Sequence, residues 1–135
     1  MTALLILFLW SFAAATVLPL SSELPLAIAI RQGTDWRLAV LVATAGNYLG
    51  ACTTFLLARA AARRFIPDTR SRARHATTLL QRFGAPALLL SWVPLIGDVL
   101  VALAGAAGIR FARFSIWTLA GKAARYLAVA WLASR

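Results

Sequence analysis

The chain has 135 residues, 61% of them apolar and 13% charged, with a formal net charge of +10. So apolar a chain with about half the usual share of charge excludes an ordinary soluble globular domain and points to an integral membrane protein. The basic excess sits in clusters rather than over a folded surface, which argues against nucleic acid. The single cysteine, Cys52, excludes an internal disulfide and a cysteine-based zinc site.

Residues 1–22 carry no charged side chain. Ala13-Ala14-Ala15 resembles a signal-peptide cleavage site, but the positive start of such a peptide is missing, so the run reads as mature structure. Pro19 and Pro25 break a continuous helix here. An unbroken helix over residues 2–30 would be ~43 Å long, against a hydrocarbon core of roughly 30 Å. A hairpin returning to its own side explains the length, with Pro19, Ser21, Ser22 and Pro25 at the tip and Glu23 beside them. Such backbone is tolerated at membrane depth only where protein or a wet cavity satisfies it. Residues 31–37 form a polar turn: Gly33 suits a helix end, Asp35 a helix start and Trp36 the membrane interface. Residues 38–58 are uncharged and long enough to span. Gly46 and Gly50 share one face of that helix and permit close packing.

Residues 59–82 hold seven arginines, His75 and Asp68, with Pro67 as a breaker. The positive-inside rule assigns this loop to the cytoplasm, where it also suits anionic lipid headgroups. His75 has no neighbours with metal-ligand spacing, so no metal or other cofactor is expected. Residues 83–109 are a second broken apolar segment, punctuated by Pro86, Pro94, Gly97 and Gly108, with Asp98 as the only charge. If it also turns back, Arg110 and Arg113 join the cytoplasmic arginines, and Phe111 and Phe114 mark the interface. A full crossing weakens the arginine bias. Residues 114–134 form the last span and carry Gly121, Lys122 and Arg125.

The two broken segments are copies. Leu18-Pro19-Leu20-Ser21-Ser22-Glu23 returns as Val93-Pro94-Leu95-Ile96-Gly97-Asp98, and the same offset maps Gly33 to Gly108, Trp36 to Phe111 and Gly46 to Gly121. The expected fold is therefore all-α, one membrane domain over residues 1–135. It consists of two inverted repeats (about 3–58 and 83–134), each a Pro-broken re-entrant hairpin followed by a transmembrane helix. Four charges fall inside the membrane: Glu23, Asp98, Lys122 and Arg125. An isolated charge at the bilayer centre costs at least ~2.5–3.5 kcal/mol, so such groups pair, line a cavity or carry function. One reading is two internal salt bridges. The other is a polar cavity in which the cations bind an anionic group and the carboxylates take up protons. No catalytic triad, phosphate loop or dinucleotide fingerprint competes, so the protein is not expected to be an enzyme.

LPLSSELP, GNYLG, LLSWVPLIGDVLVALAG and GKAARY together resemble the DedA family, the VTT-domain or SNARE-associated Golgi protein superfamily, and its short YqaA-like branch most of all. The resemblance covers nearly the whole chain, and its most specific part runs from Ser91 to Asp98. It implies a bacterial inner-membrane protein with oppositely oriented re-entrant hairpins that moves or scrambles lipids, polyprenyl phosphate carriers among them. It assigns Glu23 to the acidic position after the first hairpin's proline. Larger members carry arginines beside the second hairpin's proline, where this chain has Ser91 and Gly97, and Lys122 and Arg125 stand in for them. The expectation is a transporter or scramblase for a phosphate-bearing lipid, a polyprenyl phosphate or a phospholipid, with proton coupling left open. The alternatives are a small-molecule or ion transporter of the small multidrug-resistance type and a non-transporting assembly protein with structural charges. A homodimer suits so small a body.

Overall fold

The computed structural model describes residues 1–16, 21–65, 78–93 and 96–135, and Pro19, Pro94, Pro67, Asp68 and His75 lie outside the described residues. All regular structure among the described residues is helical: α1 (Thr2–Ala14), α2 (Glu23–Arg31), α3 (Trp36–Phe65), α4 (Thr78–Phe83), a 3₁₀ helix (Ala85–Trp92), α5 (Ile96–Ala107) and α6 (Phe111–Ala133).

Local chemistry sets the boundaries. Glu23 opens α2, where a carboxylate meets the positive end of the helix dipole. Pro25 falls in that same first turn rather than in the connection before it. There its missing N–H removes no helical hydrogen bond. Gly33 (φ 91°) ends the segment in a left-handed conformation. Asp35 Oδ1 then accepts the Arg37 N–H at 2.8 Å and starts α3. That helix runs past the uncharged stretch through Arg59, Arg63 and Arg64, so the first part of the expected basic loop is helical. Its Ala-Arg composition favours helix. In the second half, Gly84 (φ 64°) and Pro86 interrupt the chain, and the stretch that matches α1 is split into α4 and the 3₁₀ helix.

Among the described residues α3 alone is long and apolar enough to cross a membrane by itself; α1 and α5 are apolar but short. α6 has 23 residues but carries Arg113, Lys122 and Arg125. The distribution of side chains departs from a soluble protein's. Leu5, Leu9, Leu41, Leu56, Val99, Ile116 and Leu132 are exposed, whereas Ser11, Asn47, Ser91, Thr118 and Lys122 are buried. An apolar exterior around a core that also holds polar and charged side chains fits hydrocarbon surroundings.

α3 and α6 are the central pair and run antiparallel. Trp36 and Trp131 line one cleft at one end; Arg59, Arg110 and Arg113 line another at the opposite end. α1 lies on α3 and the 3₁₀ helix on α6; α5 lies on α3 and α2 on α6. The element pairs of the first half thus map onto those of the second. α1 runs parallel to α3, with Phe8 over Gly46 and Phe12 over Gly50. Gly121 meets the Leu89 carbonyl and Gly105 the Phe55 carbonyl in the same way. A side chain at any of these four positions would run into a neighbouring backbone oxygen, so the glycines set how closely the helices approach.

Two apolar clusters hold the ends. In one, Phe55 stacks on Phe114 at 4.1 Å, packed with Leu88, Leu100 and Val101. Phe114 is fully buried there and is no interface residue; only Phe111 keeps substantial exposure. The other gathers Leu7, Leu26, Ala39, Ala43 and Tyr126.

Candidate functional site

Lys122 lies midway along α6, about 16 Å from either end at roughly 1.5 Å per residue. It is 1% exposed. Its Nζ donates to Asn47 Oδ1 on α3. Asn47 Nδ2 in turn donates to the Ser11 carbonyl of α1 at 3.0 Å. Asn47 is the residue that the repeat offset pairs with Lys122, 75 positions away. The two halves therefore meet equivalent residue on equivalent residue.

One turn further on, Arg125 donates from Nη2 at 2.8 Å and from Nε at 2.9 Å, both to Oε1 of Glu23. Glu23 Oε2 has no partner among the described residues. The arginine side chain is 11% exposed and the glutamate 41%. The neighbouring Ser22 gives α2 no side-chain cap. Its Oγ is instead hydrogen-bonded to the Tyr126 hydroxyl at 2.5 Å, and both residues are buried. On the other side, the Ser21 carbonyl accepts the Trp10 indole N–H at 3.1 Å. The start of α2 is thereby tied to α1 and to α6 at once.

Asp98 stands in the first turn of α5. Lys122 and Arg125 act on it electrostatically, yet among the described residues it makes no ion pair or hydrogen bond. The expected pair of matching carboxylate–cation contacts is thus half realised. The reason lies in the repeat itself. Where α6 has Lys122 and Arg125, α3 has Asn47 and Gly50, so no guanidinium faces Asp98 from α3. Gly97, beside it, lies against the Ser91 backbone. The Ser91 hydroxyl donates to the Thr118 carbonyl at 3.4 Å.

A groove of about 410 Å³ runs between α1 and α2, lined by Ile6, Leu7, Trp10, Leu24 and Ile28, with Ser21 and Pro25 on either side of Glu23 in sequence. Chemically, the site offers one guanidinium with a single counter-ion, one buried ammonium on a neutral acceptor, one unpaired carboxylate and an adjoining apolar groove. Among the described residues no cluster of His, Cys, Asp or Glu could hold a metal ion. Asn47 and Tyr126 were not singled out as site residues in the sequence. Applying the repeat offset to Lys122 points to Asn47, whereas Tyr126 carries only the signal of its helical spacing from Lys122.

A body whose described residues form only helices, with an apolar exterior and charged, hydrogen-bonded side chains buried among apolar ones, is an integral membrane protein. Residues 17–135 match the family model described as the VTT domain. The chain is 43% identical over 128 residues to inner membrane protein YqaA of Escherichia coli (strain K12), covering 92% of this chain and 86% of that protein. The identity and coverage are the same for inner membrane protein YqaA of Shigella flexneri. A Haemophilus influenzae protein described as uncharacterized is 37% identical over 140 residues, covering 98% of this chain and 88% of its own length. No solved structure matches. The chain belongs to the VTT-domain (DedA) family and is an inner-membrane protein.

Proposed function

We propose that this protein moves a phosphate-bearing lipid across the inner membrane, with Arg125 and Lys122 holding the phosphate and Asp98 exchanging a proton during the cycle. The observation that carries this reading is the mismatch in pairing at the site. Lys122 and Arg125 lie inside the helical body, but among the described residues a single carboxylate is bonded to them, and through one oxygen only. An entering phosphate competes with Glu23 for Arg125, and a guanidinium can grip two phosphate oxygens at once. The apolar groove beside Glu23 suits an acyl or polyprenyl chain. Arrival of the anion displaces Glu23 from Arg125, while Asp98, which has no bonded partner among the described residues, is the carboxylate free to exchange a proton.

The helix directions support the membrane topology that goes with this function. α1 leaves the Trp36 end and α2 returns to it; α5 runs back to the Arg59 end, from which the second half begins. In the proposed topology, α1–α2 and the 3₁₀ helix–α5 are two re-entrant hairpins of oppositely oriented repeats.

The assay is transbilayer movement in proteoliposomes of the purified protein without ATP, followed by dithionite quenching of labelled phospholipids and by phosphatase access to polyprenyl phosphates. The proposal expects faster movement of at least one phosphate-bearing lipid than in empty vesicles. Rates equal to empty vesicles for all of them would overturn it.

A further inference from the structure

A second basic site lies at the other end of the molecule from the Trp36–Trp131 cleft and is separate from the mid-membrane charges. A cleft of about 710 Å³ is lined by Arg59 and Arg63 at the end of α3, by Gly108, and by Arg110, Phe111, Ala112 and Arg113 at the start of α6. Its four arginines come from two helices far apart in sequence. Among the described residues no carboxylate lines it.

Arg59 is held in place before any ligand arrives. Its Nη2 donates to the Ile109 carbonyl at the end of α5. Its guanidinium lies 4.7 Å from the centre of the Phe55 ring, which is itself stacked in the core. Its Nε is buried and has no hydrogen-bond partner among the described residues. Across the cleft, α6 begins at Arg110 with no side-chain cap and no acid in its first turn. The first helical hydrogen bond is Phe114 N–H to the Arg110 carbonyl. The N–H groups of residues 111–113 therefore carry the uncompensated positive end of a 23-residue helix.

We propose that this cleft binds a phosphate anion. Four guanidiniums repel one another across one cleft, and a phosphate relieves that repulsion while accepting from the cleft arginines and from the α6 first turn together. The volume exceeds what a bare phosphate fills and admits a phosphorylated headgroup. The cleft sits just beyond the uncharged residues 38–58, at headgroup level, which favours a lipid phosphate over a free one. A simple excess of basic residues for orientation needs neither a fixed Arg59 nor a shared cleft. Arg64 marks the difference: it is equally exposed and adjacent to Arg63, yet does not line the cleft.

The test compares Arg63→Gln, Arg113→Gln and the double variant with Arg64→Gln, which removes the same charge outside the cleft. Arg59→Gln is left out of the comparison because it also loosens α5. Binding is read in two arms: calorimetry with inorganic phosphate on the detergent-purified protein, and lipid retention by native mass spectrometry from nanodiscs containing phosphatidic acid or phosphatidylcholine alone. The expected result is at least tenfold weaker binding for the double variant and less than twofold change for Arg64→Gln. Loss in the phosphatidic acid arm alone assigns a lipid headgroup; loss in both arms assigns phosphate from either source. Equal losses for Arg64→Gln and the cleft variants, or no phosphate-dependent binding in either arm, would overturn the proposal. The mid-membrane site is untouched by these variants, so its transport activity is read separately.

Discussion

The Glu23–Arg125 contact makes an unequal prediction for its two partners. Arg125 is 11% exposed and spends two donors on one carboxylate oxygen, whereas Glu23 is 41% exposed. Glu23→Gln leaves a mostly buried guanidinium facing a neutral amide. Arg125→Gln leaves a carboxylate that can still reach water or take up a proton. A fully buried pair broken on one side loses ~3–5 kcal/mol. Solvent screening at the half-exposed glutamate reduces this, so about 1–2 kcal/mol is expected for Glu23→Gln and under about 1 kcal/mol for Arg125→Gln. At ~4 °C per kcal/mol for a chain of this size, Tm falls by roughly 4–8 °C and by less than about 4 °C respectively. The double variant should recover part of the Glu23→Gln loss, because the stranded charge is gone. Thermal unfolding of the detergent-solubilised protein, followed by tryptophan fluorescence, measures all three. A larger loss for Arg125→Gln, or fully additive losses, would refute the assignment of the buried partner.

Other consequences are as direct. Tyr126→Phe leaves the buried Ser22 hydroxyl without its partner, and a loss of ~1–3 kcal/mol is expected in the same melt. Gly50→Ala and Gly105→Ala drive a methyl group into the Phe12 and Phe55 carbonyls, and each should lower stability by ~1–3 kcal/mol as the helices part. Lys122→Met removes a buried ammonium but leaves the buried Asn47 amide oxygen without its donor, a loss of ~1–3 kcal/mol that offsets the gain from the absent charge; stability should change little while lipid movement is lost. Single cysteines in a Cys52→Ala background should label from the cytoplasmic side at position 111 and from outside at position 34; position 111 reacting only from outside contradicts the re-entrant arrangement.

The helices were legible in the sequence because their punctuation is local. Gly33, Asp35 and Gly108 stand where chain direction changes, and the apolar runs between them are helical. The four charges were legible because charge is scarce in so apolar a chain. Their partners were not. The repeat suggests that Glu23 and Asp98 should be served alike, but pairing depends on what the opposing helix offers, and α3 offers Asn47 and Gly50 where α6 offers Lys122 and Arg125. Nothing near Lys122 in sequence signals that it reaches Asn47, since that contact forms only when α3 and α6 pack antiparallel. The burial of Phe114 was hidden for the same reason: its partner, Phe55, lies on another helix. The end of α3 was also misread, because arginines that signal a loop by charge are good helix formers by propensity.

Asp98 separates transport from scaffold most cleanly, because it has no ion pair among the described residues and its neutralisation strands no bonded partner. The decisive measurement is lipid movement by Asp98→Asn proteoliposomes beside the melting temperature of the same preparation. Transport through this site predicts an unchanged Tm with movement reduced to the empty-vesicle rate. Wild-type movement at wild-type Tm would contradict it.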